Sequence, residues 1–288
     1  MSFAGNLVSP SGSARRRRIL AGAIVIAAAF GGVACGDDAD DAATPATPAG
    51  PSTTAESEFA AYCEATFKAE EYFAEDPDVD FETATPAQIQ AATQAYLQGA
   101  KPLIDALVPL VPAEIKAPTD VLLGVFNQAL AGTVNPDEAF DTPEVKAAET
   151  QTHAFDLKNC GWGKAEVSGT EYSFSQPGQL KAGRTSIDFT NKGKELHQLI
   201  LFAKNPGVTE TFDEILALPE EEARTKVRPV AGAFAEQNES DYVVTDLAQG
   251  SYLAVCFLPQ GFVSTDGPPP ENAPPHFALG MKLEITVA

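Results

Sequence analysis

Two kinds of hydrophobic periodicity divide the chain. Between residues 55 and 162 apolar residues recur every three or four positions, which is typical of amphipathic helices. The clearest stripes are Phe59, Tyr62, Cys63 and Phe67; Ile89, Ala92, Tyr96 and Leu97; and Val121, Leu122, Val125, Phe126, Ala129 and Leu130. Gly132 suits a helix C-terminus, and Thr142-Pro143 suits a helix N-terminus. The segment predicts three or four helices packed as a small bundle.

Between residues 163 and 288 the period becomes two. Ile187 and Phe189 alternate with polar neighbours, and Leu283 and Ile285 do the same near the C-terminus. Such alternation is typical of strands with one buried face. Strands are predicted at residues 165–174, 184–190, 197–203, 227–234, 241–246, 251–257 and 280–287, with a helical insertion at 211–226. The fold class is therefore α + β in two domains, an N-terminal helical bundle and a C-terminal β-sandwich.

The N-terminus has the pattern of an export signal. Arg15 to Arg18 precede a small and apolar run, Ile19–Ala34, of 16 residues, which is short for a membrane span. The run ends in Gly32-Val33-Ala34-Cys35, which resembles a bacterial lipobox, where the cysteine is diacylated and becomes the new N-terminus. Gly32 stands where leucine is usual. An uncleaved signal anchor is the alternative.

Composition changes after Cys35. Residues 1–35 are thus predicted as a lipoprotein signal peptide, and residues 36–54 as a disordered, acidic and proline-rich tether. The chain has 40 acidic and 19 basic residues, and four basic but no acidic residues precede Cys35. The processed chain therefore keeps 15 basic against 40 acidic residues, a net charge of -25. This excess argues against nucleic acid, whose phosphates need a cationic surface, and leaves a basic protein partner open.

The cysteines suggest one disulfide and one committed thiol. Cys63 lies in the first predicted helix and Cys160 just after the last. With Cys35 lipidated, both lie outside the membrane, where disulfides persist, and pairing them leaves Cys256 single. A leftover thiol in an exported protein needs an explanation, and a metal supplies one. Two buried thiols at Cys63 and Cys160 are the alternative.

Metal-binding side chains are scarce. The chain has three histidines and two methionines, one of them the initiator. His153 is expected to be an ordinary residue of the last helix, whereas His197, Cys256, His276 and Met281 fall at predicted strand ends or loops. Two imidazoles, a thiolate and a thioether are the donors of blue-copper sites, since Cu(I) and Cu(II) both tolerate them. Taken singly, each of these residues has an ordinary role in a protein core.

Residues 165–288 resemble the cupredoxins, the plastocyanin-like blue-copper proteins. The likeness lies in a histidine after a glycine-containing turn, a cysteine ending the penultimate strand, and a histidine and methionine around the last loop. It implies a Greek-key β-sandwich and one mononuclear copper ion bound by His197, Cys256, His276 and Met281. The family usually has only a few residues between the cysteine and the second histidine, whereas 19 residues, 257–275, intervene here. A loop of this length also permits His276 to lie on a different surface.

These observations favour an extracytoplasmic cupredoxin that is anchored to the cell membrane through lipid on Cys35. It would carry single electrons to an unknown protein partner and would not be an enzyme, because four ligands leave no open position for a substrate. The first alternative is copper buffering or delivery without redox turnover. The second is a metal-free interaction lipoprotein that uses the sandwich as a binding frame.

We expect Cys35→Ser to leave the chain unprocessed or to release it from the membrane, because the diacylated cysteine would supply two buried acyl chains. Membrane fractionation and gel mobility after expression in a bacterial host test this. Unchanged fractionation and mobility of the variant would exclude the lipoprotein hypothesis.

Overall fold

The computed structural model describes residues 58–75, 77–80, 83–265 and 267–288. The predicted signal peptide with its lipidation site Cys35, and the predicted tether 36–54, lie outside the described residues. Among the described residues, no helix combines the length and apolar character needed to cross a membrane. This part of the chain is mixed α and β, with seven α-helices and two four-stranded sheets.

Five of these helices precede the sheets in the described chain: α1 (Ala60–Phe73), α2 (Pro86–Leu107), α3 (Lys116–Leu130), α4 (Pro136–Phe140) and α5 (Pro143–Asn159). The sequence predicts three or four, and the short α4 is the one that periodicity over long windows misses. The side chain of Thr142 accepts a hydrogen bond from the backbone N–H of Val145 and so caps α5. Gly132, at φ 69°, follows the end of α3, as predicted.

The β-segment forms two sheets that face each other. The strands are β1 (Gly163–Thr170), β2 (Ser173–Phe174), β3 (Gly183–Asn191), β4 (His197–Lys204), β5 (Val227–Ala235), β6 (Ser240–Leu247), β7 (Gly250–Val255) and β8 (Lys282–Val287). The first sheet has the order β2-β1-β3-β6 and the second β5-β4-β7-β8. β1 and β3 run parallel, and the other pairs are antiparallel. One apolar core lies between the sheets, with Ile187 and Phe189 from the first and Leu199, Leu201 and Ala254 from the second.

Two predicted elements differ from the structure. The strand predicted at 165–174 is two strands, because Tyr172 adopts φ 64° in a tight turn and the chain folds back with Thr170 opposite Ser173. The helical insertion predicted at 211–226 is two helices, α6 (Phe212–Leu216) and α7 (Glu220–Lys226). They cover the outer face of the second sheet, where Phe212 packs in one cluster with Phe202 and Leu253.

The first helices cover the outer face of the first sheet. Phe67 of α1 packs with Trp162 and with Val244 of β6. Arg184 of β3 forms an ion pair with Glu64 at 2.7 Å and lies over the Phe67 ring. On α5, His153 stacks on Tyr242 and hydrogen-bonds Asp188 at 3.1 Å. His153 thus joins helix to sheet, and its contacts are structural.

Cys63 of α1 and Cys160, which caps α5, form a disulfide. The bridge ties the first helix of this segment to the residue that leads into β1. Its sequence separation is 97 residues. The alternative of two buried thiols is therefore wrong.

A cavity of about 1070 Å³ lies between the helices and the first sheet, and the buried Asp156 and the half-buried Glu70 line it. Asp156 accepts a hydrogen bond from the Tyr62 hydroxyl at 2.7 Å, and burial raises the pKa of Asp156 to about 7. Burial, together with the negative charges of Asp156, Glu149 and Asp241, raises the pKa of Glu70 to about 8. The folded chain therefore holds protons here that an unfolded chain would release at lower pH.

We expect removal of the cross-link by Cys63→Ser or Cys160→Ser to lower the thermal stability of the protein. The chain-entropy model gives a loss of about 4–5 kcal/mol for a loop of this length. The visible spectrum expected of the predicted copper site should not change, because its predicted ligands lie in the β-segment. Differential scanning calorimetry and absorption spectroscopy measure the two effects. Peptide mapping that found Cys256 in a disulfide would contradict both the pairing and the metal site.

We expect Glu70→Gln to stabilise the protein at about pH 9 and to have little effect at about pH 4. The pKa of Glu70 is about 8 in the folded chain and 4.5 ordinarily, so the protonated carboxyl group favours folding at low pH. This contribution is lost as the pH rises from 4.5 through about 8. Thermal unfolding followed by circular dichroism measures the difference from the parent. Glu221→Gln, at an exposed position on α7, is the control. A Glu70→Gln effect that is independent of pH would contradict this assignment.

Candidate metal centre

Three of the four predicted ligands meet at one end of the two sheets. Nδ1 of His197 lies 3.2 Å from Nδ1 of His276, and Sγ of Cys256 lies 3.3 Å from the same His276 nitrogen. All three atoms lie within 4.8 Å of one another, and the three residues have no exposed surface. Residues 79 and 20 positions apart in sequence thus present two nitrogens and a sulfur to one small volume.

A tight turn between β3 and β4 delivers His197. Asn191, at the end of β3, closes the turn by donating to the carbonyl oxygen of Glu195 at 2.7 Å and accepting from the N–H of Gly193 at 2.8 Å. A Cβ atom at residue 193 would lie 2.7 Å from Nε2 of His197, so the turn requires glycine for steric reasons. Within the described structure, Nε2 of His197 has no hydrogen-bond partner. The turn fixes the ring with Nδ1 toward the other donors.

The long loop between Cys256 and His276 is closed at its base. The N–H of His276 donates to the carbonyl oxygen of Leu258 at 2.8 Å, and the N–H of Phe277 donates to that of Cys256 at 2.9 Å. Pro259 and Pro275 form an isolated β-bridge. Residues 260–274 therefore form an excursion beyond this bridge and do not separate the two donors. His276 lies beside Cys256, and the alternative position on a different surface is wrong.

Met281 lies next to the cysteine. It is fully buried and packs with Cys256, Leu196, Leu258 and Phe262. The N–H of Cys256 donates to the carbonyl oxygen of Met281 at 3.2 Å. A 3₁₀ turn, His276–Leu279, and Gly280 at φ 118° lead from the second histidine to Met281. The structure thus places the predicted thioether residue in the cluster that contains the thiol.

The chemical state of these side chains suits a metal ion. Burial, with the neighbouring His276 as a smaller cause, lowers the pKa of His197 to about 4, and burial also lowers the pKa of His276. Both imidazoles are therefore neutral near pH 7, which is the form that binds metals. The N–H of Gln198 donates to Sγ of Cys256 at 3.5 Å.

The spacing of the donors fits a single copper ion. Nitrogen and sulfur ligands at about 2.0–2.3 Å from a first-row metal lie roughly 3.5–4 Å apart in a trigonal plane. The observed separations of 3.2 and 3.3 Å, with all three atoms within 4.8 Å, are close to that arrangement. Two imidazole nitrogens and one cysteine sulfur are also the donor set that copper prefers in trigonal sites. The group therefore fits one mononuclear copper site.

Sequence reasoning missed Glu195 and Tyr172. Oε2 of Glu195 lies 2.9 Å from Nε2 of His276 and accepts from the N–H of Gly261 at 2.6 Å. Its Oε1 accepts from the Tyr172 hydroxyl at 3.0 Å, and the Tyr172 ring meets the His276 ring edge to face. These contacts span 23 to 81 positions in sequence, so no local pattern signals them.

No protein-family model matches the chain, and no curated protein matches it. Comparison with solved structures finds blue-copper proteins of the cupredoxin class. Auracyanin from Roseiflexus castenholzii is 21% identical, with a TM-score of 0.27 over 43% of this chain and 96% of that one. Auracyanin A from Chloroflexus aurantiacus is 22% identical, with a TM-score of 0.29 over 44% and 100%. Rusticyanin from Thiobacillus ferrooxidans is 18% identical, with a TM-score of 0.27 over 43% and 77%. At such identities the copper assignment rests on the donor geometry of this chain.

Proposed function

We propose that the protein is a copper-binding electron carrier of the cupredoxin type. The observation that carries the proposal is the convergence of two Nδ1 atoms and one Sγ atom within 4.8 Å at a fully buried site, with Met281 packed against the cysteine. Copper bound there supplies a one-electron couple between Cu(I) and Cu(II). His197, Cys256 and His276 would bind it, and Met281 would supply a weaker sulfur ligand.

The fold holds these donor atoms in fixed positions. His197 begins β4 and Cys256 follows β7, and these two strands are hydrogen-bonded neighbours in one sheet. The backbone N–H of Gln198 orients the cysteine sulfur, and the Glu195 carboxylate orients the His276 ring. A site with little freedom to rearrange suits electron transfer, because the ligands move little between oxidation states. Burial of all four side chains excludes water and favours a carrier over an enzyme.

The surrounding organisation extends the proposal. We assign residues 55–162 to a helical bundle that acts as a spacer or docking module, and residues 163–288 to a Greek-key cupredoxin sandwich. The lipobox-like Cys35 supports attachment to the outer face of the cell membrane, and the Cys63–Cys160 disulfide supports an oxidising compartment. The net charge of -25 expected after processing supports a basic redox partner or copper-exchange partner and opposes nucleic acid.

Copper buffering or delivery is the second candidate function. The thiol of Cys256 and the thioether of Met281 are soft donors, and Cu(I) prefers soft sulfur ligands. Reversible one-electron oxidation with unchanged ligation distinguishes a carrier from a buffer. A metal-free interaction protein is the remaining alternative, and metal analysis of protein purified without added copper tests it.

We expect the loaded protein to bind one copper per chain and to be intensely coloured when oxidised. Cys256→Ser should abolish the colour, because a hydroxyl group does not replace the thiolate in charge transfer to Cu(II). Met281→Leu should keep the colour and shift the reduction potential, because a thioether would tune the site without anchoring the metal. Elemental analysis, visible absorption and voltammetry measure these outcomes. His153→Ala, at a histidine on α5, is the matched control and should change none of them.

His276→Ala decides between the two copper functions. Loss of tight binding or an altered spectrum supports the carrier. If spectrum and affinity stay at the parental values, the site lacks its second imidazole, and copper handling becomes the better assignment. A parent protein that binds no copper under any loading condition would leave the metal-free alternative.

A further inference from the structure

The carboxylate of Glu195 joins the metal centre to the long loop and to the β1–β2 turn. Its two oxygens contact three groups: Nε2 of His276, the N–H of Gly261 and the hydroxyl of Tyr172. His276 has no exposed surface, and the Glu195 side chain is only 14% exposed. The edge of the imidazole opposite the other donors is therefore covered by a negatively charged group.

This contact fixes which nitrogen of His276 faces the metal site. Nδ1 lies 3.3 Å from the cysteine sulfur, and Nε2 lies 2.9 Å from the carboxylate. A carboxylate only accepts hydrogen bonds, so Nε2 must carry the proton and Nδ1 must offer its lone pair. The carboxylate thus selects both the tautomer and the ring orientation that copper binding needs.

The same contact changes the electronic character of the ligand. A carboxylate hydrogen-bonded to a metal-bound histidine raises the basicity of the imidazole. A more basic nitrogen and a nearby negative charge both stabilise Cu(II) relative to Cu(I), because the oxidised ion has the larger positive charge. The expected consequence is a lower reduction potential than the same four ligands would have without Glu195.

Glu195 also links the excursion of residues 260–274 to the ligand. Its Oε2 atom is shared between His276 and Gly261, and the next residue, Leu196, donates its N–H to the carbonyl oxygen of Phe262 at 2.8 Å. Two adjacent residues of the turn that bears His197 thus hold the loop that bears His276. The two imidazoles are fixed to each other through this turn.

We propose that Glu195 is a positioning residue that holds His276 in its metal-binding tautomer and lowers the reduction potential of the copper site. The proposal rests on the copper-carrier function proposed above. It adds a residue that acts through His276 and does not itself bind the metal.

Three substitutions at this position separate its effects. Glu195→Gln keeps a hydrogen-bond acceptor but removes the charge, so colour should persist and the reduction potential should rise. Glu195→Ala removes both, so Cu(II) affinity should fall about 10–100-fold and added azide should alter the spectrum. Glu195→Asp restores the charge on a shorter side chain and should recover part of the parental potential. Voltammetry, competitive copper titration and visible absorption give these values.

Two neighbouring residues are matched controls. Glu171 accepts hydrogen bonds from the N–H groups of Lys194 and Glu195 in the same turn, and in the described structure no hydrogen bond joins it to His276. Glu171→Gln therefore removes a nearby negative charge that acts on both imidazoles without removing a hydrogen bond to the His276 ring, and the reduction potential should shift less than in Glu195→Gln. Tyr172→Phe removes one donor to the carboxylate and should leave copper affinity within about twofold. An equal shift in reduction potential for Glu171→Gln and Glu195→Gln would overturn the proposal. The effect would then come from negative charge near the site in general and not from the hydrogen bond to His276.

A measurement on the copper-free protein tests the contact independently of copper binding. Nitrogen NMR of the His276 ring should show the Nε2–H tautomer in the parent and a mixture in Glu195→Ala. If the parent binds no copper, the proposed function fails while this measurement still reports on Glu195. If the parent binds copper normally but tautomer, affinity and potential are all insensitive to Glu195, the positioning role alone fails.

Discussion

The pairing of β4 with β7 is the constraint on which the metal centre depends. Leu201 lies opposite Ala254 and Ile200 opposite Val255, so the start of β4 and the end of β7 meet at the same end of the second sheet. His197 and Cys256 occupy these two positions, and the N–H of Gln198 reaches the cysteine sulfur as a direct result. A slip of one residue would turn each side chain to the opposite face. The apolar core between the sheets, which includes Leu199 and Leu201 at zero exposure, prevents that slip.

Holding polar donors inside this core has an energetic cost. His197 and His276 are completely buried, and the Nε2 atom of His197 has no hydrogen-bond partner in the described structure. A buried polar atom without a partner typically costs about 1–3 kcal/mol. Nδ1 of His197 also lies 3.2 Å from Nδ1 of His276, so a hydrogen bond between them needs a proton on one of the two nitrogens. A metal ion would use all three lone pairs at once, so its binding energy would add to the stability of the folded chain.

Much of the candidate site follows from local sequence. Because the chain has only three histidines and two methionines, few residues could be metal ligands. The alternation around Ile187, Phe189 and Leu201 predicts which strand faces are buried. The disulfide follows from where the cysteines lie relative to the helices. Local sequence does not show where a turn interrupts an alternating run, as at Tyr172, because residues on both sides keep the same period. Nor does it show that Pro259 meets Pro275, a pairing that depends on the whole sheet.

The path of the 257–275 loop shows why its length does not oppose a compact site. Loop closure cost grows slowly with length, so a longer excursion is tolerated if its two ends are held. Here the ends are held by the bridge between Pro259 and Pro275 and by the hydrogen bond from His276 to Leu258. Glu195 also holds the start of the excursion, through Gly261. The loop therefore behaves at its base like a short connection, and its extra residues alter the surface of the protein instead of the donor geometry.

The described helices pack on the outer faces of the two sheets and do not cover the end of the sheets that bears the donors. Phe67 and Trp162 cover Val244 on the first sheet, while α6 and α7 cover Phe202 and Leu253 on the second. No linker separates the two segments, because the disulfide-bonded Cys160 caps α5 and β1 begins at Gly163. The helical segment thus shares apolar contacts with the sandwich and constrains its first strand. With both outer faces occupied, the rigidity of the donor-bearing end comes from the core below it and from the turn and loop that Glu195 joins.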